Sequence, residues 1–347
     1  MSTAGLSQGA KAPSGGHGPA PWIARQTESL LAQRGHAWLL QGPSGLGQYE
    51  LAMALVSAWL CEQPSAQGAC GQCPSCHAIA VRTHADLAVL MPETQMLELG
   101  WPLSEKAQSD IDDKKRKPSK EIRVEAMRDL VEFAQRTDAR GRGKAVLVFP
   151  AERMNAVTAN ALLKTLEEPP GDVRFVLATE AAHQLLPTIR SRCQTHTLAW
   201  PDGTEARAWL AGQGVDAPVA EALLRTAGGR PDDVLRQNSH GLTPAWWAAL
   251  PKAMQQGDAS HLSDLSPAQA IDALQKLCHD LVLRSSGAEP RFFMASQLPA
   301  CSASVMTLTD WFKRLMQSAR TAEHPFNAGL MLEALANDAQ QALTARA

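Results

Sequence analysis

Two apolar patterns alternate through roughly the first 200 positions of the chain. Ala37-Trp-Leu-Leu-Gln41 and Ala145-Val-Leu-Val-Phe149 are short and unbroken, as strands buried on both faces are. Asp86 to Met91 and Asp172 to Thr179 read as two more strands. Between them, Gln48 to Leu60 and Thr158 to Glu168 have helical length and spacing, and Pro169-Pro170 stops the second. Ile122, Met127, Leu130, Val131 and Ala134 mark another helix over 122–134, and Leu185 to Arg190 a short one. Strands alternating with helices predict an α/β domain with a mainly parallel sheet.

Beyond about residue 200 only the helical spacing persists. Thr204 to about Asn238 reads as a small helical domain with a turn at Gly228-Gly229. Ser266-Pro267 is a helix start with proline at the first helical position, and Ile271, Leu274, Cys278 and Leu281 then line one apolar face. Val305 to Met316 and Asn327 to Leu343 predict two further helices; Cys278 and Cys301 are expected in the core. Abundant Ala and Leu beside one Tyr and seven Phe agree with a helix-rich protein.

A length of 347 residues allows two or three domains. Residues 1–20, mostly Gly, Ser, Ala and Pro, are expected to form a disordered arm without the apolar stretch of a secretory signal. The longest mostly apolar run, Leu51 to Leu60, is half the ~20 residues that span a bilayer. A cytoplasmic protein with no membrane partner is the expectation. A net charge of −2 excludes a uniformly basic nucleic-acid surface. The polar stretch Glu93 to Lys120 sets Lys114-Lys-Arg-Lys117 beside Asp110, Asp112 and Asp113, and reads as a solvated loop of mixed charge rather than a DNA contact.

The first strand leads into Gly42-Pro-Ser-Gly-Leu-Gly47-Gln48-Tyr49, the frame of a phosphate-binding loop G-x-x-x-x-G-K-[ST]. Gln48 stands where the lysine would reach the β/γ-phosphates, and Tyr49 where a small hydroxyl would hold Mg²⁺. The strand Ala145–Phe149 ends in Phe149-Pro150 where an ATPase has acids that order Mg²⁺ and the attacking water; Glu152 lies two residues beyond. Two independent parts of the machinery are missing, so productive ATP binding and intrinsic ATPase activity are not expected.

Cys61, Cys70, Cys73 and Cys76 follow in the spacing C-x8-C-x2-C-x2-C. C-x2-C turns let thiolates converge on one tetrahedral Zn²⁺, and four of them close a structural site. Gly68, Gly71 and Pro74 break the segment into turns, which disfavours plain core cysteines. A redox C-x2-C pair fits four thiols less well, and His77 and His84 are alternative ligands to a shell that the cysteines already complete.

Asn160-Ala-Leu-Leu-Lys-Thr-Leu-Glu-Glu-Pro-Pro170 together with Ser191-Arg-Cys193 resembles the AAA+ clamp-loader family, over about residues 21–200 and in outline beyond. The resemblance implies an AAA+ P-loop type domain at 21–200 with a zinc module at 61–77, a helical lid at 201–260 and a helical collar for oligomerisation at 261–347. It implies a subunit of the bacterial DNA polymerase III holoenzyme, in a pentameric loader that opens a ring-shaped sliding clamp and places it on primed DNA. Its partners would be the tau/gamma motor subunits, which carry the intact ATP machinery, and the delta subunit. In this family the Ser-Arg-Cys arginine reaches ATP held by a neighbour. Arg192 would be that finger, with Arg190 as a helper and Cys193 a packing residue; the alternative for Arg192, which the motif disfavours, is a helix-terminal arginine compensating the dipole. Thr179 falls at the family's phosphate-sensing position and is expected to be structural here, while Arg230 lies near the second sensor. The competing readings are an active motor-type ATPase, which needs the lysine and acids, and a zinc-dependent nucleic-acid-binding module. The latter predicts basic and aromatic residues around the cysteines, and Glu62 to Val81 has none beyond His77.

Overall fold

The structure, a computed structural model, describes residues 19–300, 303–322, 324 and 326–345. The expected arm, up to residue 18, and Cys301 lie outside the described residues. The chain divides into two compact units, 1–201 and 202–347.

The first unit runs α1 (Pro21–Leu31), β1 (Ala37–Gln41), α2 (Gln48–Leu60), α3 (Pro74–Ala80), β2 (Leu87–Leu90), α4 (Glu93–Glu98), α5 (Glu105–Asp112), α6 (Val124–Gln135), β3 (Lys144–Val148), α7 (Ala156–Glu167), β4 (Val173–Thr179), α8 (Pro187–Arg190) and β5 (Gln194–Thr197). The strands form one parallel sheet in the order β2-β3-β4-β1-β5. Side chains alternate across a strand, so an unbroken apolar run feeds two layers at once. Leu39, Val146, Val148, Phe175 and Leu177 join Leu130 of α6 and Leu162 of α7 in one core. On the other face α2 packs against β3 and β4, and α1 packs on α2.

The stretch Glu93–Lys120 departs from the expected solvated loop: it carries α4 and α5. Ser104 caps α5, its hydroxyl accepting from the Ala107 N–H at 3.3 Å. The buried Glu93 carboxylate collects the Arg116 guanidinium at 2.8 Å, the Ser119 N–H at 2.7 Å and Arg123 at 3.4 Å. Arg116 of the basic run is therefore tied inward. Helix α6 begins at Val124 because Ile122 bridges to Met154 instead. Three further elements have no counterpart in the expected pattern: α1, α3 and the edge strand β5.

The second unit is all helical: α9 (Gly203–Gly212), α10 (Ala217–Thr226), α11 (Pro231–Ser239), α12 (Pro244–Gln256), α13 (Pro267–Ser285), α14 (Val305–Ala319) and α15 (Ala328–Thr344). One apolar cluster runs through it, from Leu210 and Leu223 past Leu250, Leu274 and Cys278 to Trp311 and Leu335. Helix α13 starts with a capping box between Ser266 and Gln269, at the proline signal read from the sequence. Among the described residues no helix is long and apolar enough to cross a membrane.

Candidate functional site

The glycine loop joins the C-terminal end of β1 to α2. Gly45 (φ 77°) and Gly47 (φ 92°) take left-handed backbone that glycine tolerates without strain. Gln48 is buried, and its amide donates to the loop's own carbonyls, Gly42 at 2.9 Å and Pro43 at 2.6 Å. The indole N–H of Trp22 on α1 donates to the Leu46 carbonyl at 3.2 Å, pinning the loop from outside.

Tyr49, at the hydroxyl position of the loop motif, and Phe149, just past β3, meet each other: their ring centroids lie 5.5 Å apart. The corner where an intact phosphate-binding loop would hold Mg²⁺ is thus lined by two rings. The Tyr49 hydroxyl accepts from Trp101 Nε1 at 2.8 Å, and burial raises the phenol's pKa. Trp101 lies in the polar stretch Glu93–Lys120, where neither spacing nor a motif marks it as a partner of Tyr49. Glu152 does not turn back to this corner. It accepts the Thr179 hydroxyl at 2.7 Å and the Glu180 N–H at 3.2 Å, a link between the ends of β3 and β4.

Arg192 follows α8, and its side chain is 30% exposed. Its Nε donates to Glu167, the last residue of α7, at 2.6 Å, and Nη2 reaches the same carboxylate oxygen. Nη1 donates to the Thr188 carbonyl at 2.8 Å, so the helix-terminal role is also present. Arg190 is exposed. Burial pushes the Cys193 thiol up to about 12, which leaves it protonated and poorly nucleophilic at neutral pH.

Cys61 caps the C-terminus of α2, Cys73 is the N-cap of α3, Cys76 lies in its first turn, and Cys70 sits in the connecting loop. Their four sulfurs all fall within 4.8 Å of one another, with Cys61–Cys76 at 3.7 Å, Cys61–Cys73 at 3.9 Å and Cys70–Cys76 at 4.0 Å. A tetrahedron with Zn–S bonds of about 2.3 Å has sulfur–sulfur edges of about 3.8 Å. The cluster can hold a metal ion, and its spacing and thiol donors fit zinc. His77 is exposed, and His84 turns its Nδ1 to the Asp86 N–H; neither belongs to the cluster. Backbone N–H groups point at the sulfurs, Cys70 to Cys61 at 3.2 Å and Cys76 to Cys73 at 3.4 Å. At Cys73 the upward push of burial is outweighed by N–H groups of Cys76 and Glu62, and its pKa falls to about 6. Cys76 is pushed up to about 12, by burial first and by the neighbouring Cys73 thiol next. Around the thiols, Glu62 accepts from the Ser75 hydroxyl at 2.9 Å and from Arg140 at 3.1 Å, while Asp86 accepts the Ala139 N–H at 2.7 Å. These bonds fasten the cluster to the loop before β3.

A glycine loop between β1 and α2, a parallel sheet ordered β2-β3-β4-β1-β5 and an all-helical unit following in the chain define a protein of the AAA+ P-loop type. A family model described as "DNA polymerase III, delta subunit" matches residues 25–201, and the chain belongs to that family. It is 39% identical over 213 residues to the DNA polymerase III subunit delta' of Pseudomonas aeruginosa, covering 61% of this chain and 58% of the relative. To the subunit delta' of Escherichia coli it is 35% identical over 221 residues, covering 62% and 59%. To that of Yersinia pestis it is 32% identical over 273 residues, covering 74% and 73%. The match spans less than two thirds of the first two relatives.

Proposed function

We propose that the chain is a delta-prime-type subunit of a cytoplasmic DNA polymerase III clamp loader, one that hydrolyses no ATP itself and completes the ATP site of a neighbouring motor subunit with Arg192. The observation that carries this reading is the contact of Tyr49 with Phe149 at 5.5 Å, which fills the Mg²⁺ corner, while Arg192 stays partly exposed. Its partners are the tau/gamma motor and delta subunits, with the sliding clamp and primed DNA engaged through the assembly. The helical lid (201–260) and collar (261–347) serve that assembly.

Mechanistically, a γ-phosphate offers Arg192 the charged oxygens that Glu167 offers in the free chain. In the assembly the guanidinium exchanges one anion for the other, with Nη1 still anchored on Thr188. Charge supplied in trans to a transferring phosphoryl group accelerates related reactions by about 10³–10⁵. Cys61, Cys70, Cys73 and Cys76 hold a structural zinc ion that stabilises the turns between α2 and α3 and has no catalytic part. The test is reconstitution of the loader with Arg192→Ala and measurement of DNA- and clamp-stimulated ATP hydrolysis. Turnover should fall by at least about tenfold; wild-type turnover would overturn the assignment.

A further inference from the structure

At the end of the sheet opposite the glycine loop lies a cleft of about 570 Å³, bordered by the loop of the cysteine module at Ser65. Its chemistry comes from four separate segments. Arg34 lies in the turn before β1, Trp59 in the last turn of α2, Arg142 just before β3 and Arg174 at the start of β4. The Arg174 guanidinium lies over the Trp59 ring, 5.9 Å from its centroid. Arg142 Nε is buried without a hydrogen-bond partner, which is costly for a charged donor. Arg34 is exposed and enters no ion pair among the described residues. Arg174 keeps one weak link, to Asp172 at 3.3 Å. Glu28 is the one carboxylate on the lining, so the cleft is net positive on a chain that is slightly acidic overall.

We infer that this cleft binds a nucleotide unit, its phosphate on the arginines and its base on the Arg174–Trp59 stack. Guanidiniums match phosphate oxygens in a forked geometry, and Arg34, Arg142 and Arg174 bring three of them to the lining. A bare inorganic anion would leave the indole unused. A base has a flat face that stacks on aromatic rings and guanidinium planes whatever its sequence, worth about 1–3 kcal/mol per base at single-strand sites. The volume lies within the range of about 300–1,000 Å³ common to small-molecule sites. The cysteine segment itself has almost no basic or aromatic residues; the fold delivers them to its border from elsewhere. The site is independent of Arg192 and of any ATP chemistry.

The test uses the full chain without ATP and two probes, an oligodeoxythymidylate of about 12 nucleotides carrying a fluorophore, and free dTMP, at low salt where phosphate contacts are strongest. The wild type should bind, and Arg34→Glu and Trp59→Leu should each weaken binding by about tenfold or more. Arg34 is exposed in a turn, so its variant keeps the fold, and a thermal melt checks Trp59→Leu. Loss with both probes assigns the site to a free nucleotide; loss with the oligonucleotide alone assigns it to a single strand. Failure of both probes to bind the wild type, or binding that both variants retain, would overturn the inference.

Discussion

Gln48 reaches about as far from the backbone as a lysine stem but ends in a neutral amide, and the glycine loop closes on that amide. Two loop carbonyls, of Gly42 and Pro43, accept from it. Gln48→Ala should remove both bonds and cost about 1–3 kcal/mol of unfolding free energy, read by chemical denaturation of the full chain. Gln48→Lys should restore the charge without restoring nucleotide binding, because Tyr49 and Phe149 still line the metal corner; titration with MgATP should give no heat. These substitutions were legible at positions 48, 49 and 149, since a motif fixes residue types by spacing. Their partners were not, because Trp101 is 52 residues from Tyr49 and Glu167 is 25 from Arg192. Sequence proximity carries no signal for such pairs.

Among the elements, α3 has seven residues, far too few to be stable as an isolated helix. Its order depends on the cysteines at its start and on Glu62, which holds Ser75. Removal of metal by a chelator should therefore release amide protection across residues 61–81 while the strands of the sheet stay protected, as hydrogen exchange would show. Metal analysis should find about one zinc per chain. Ligand thiols must lose protons to bind the ion, so acidification should release zinc in the same way. Strands β1 and β3 could be read from the sequence because burial on both faces leaves them unbroken and apolar. Edge strand β5 could not: Gln194–Thr197 is polar and mostly exposed, and only pairing with β1 makes it a strand. Helices α4 and α5 were hidden for a similar reason. Their order rests on Glu93 gathering Arg116 and Arg123 from far along the chain, which local charge composition cannot reveal.

At the scale of the molecule, each unit has an apolar core of its own. The helical unit alone, residues 202–345, should fold when expressed by itself, with a helical circular dichroism spectrum and a cooperative thermal transition. A broad, non-cooperative melt would count against this. The α/β and all-helical halves were both legible, because the switch from mixed to purely helical spacing is long and consistent. The basic cleft was invisible, since it is assembled by topology from residues that no local motif connects.

The aromatic pair at the glycine loop also bears on how such a protein can change over time. Tyr49→Ser by itself would leave Phe149 beside a void, at a cost on the order of 2 kcal/mol or more. Phe149→Asp by itself would set a carboxylate against a ring at a buried position, which is also unfavourable. Each single step toward a metal-binding corner is uphill until the others are in place. The aromatic corner is in this sense ratcheted: lineages can inherit it easily and replace it only by several changes at once.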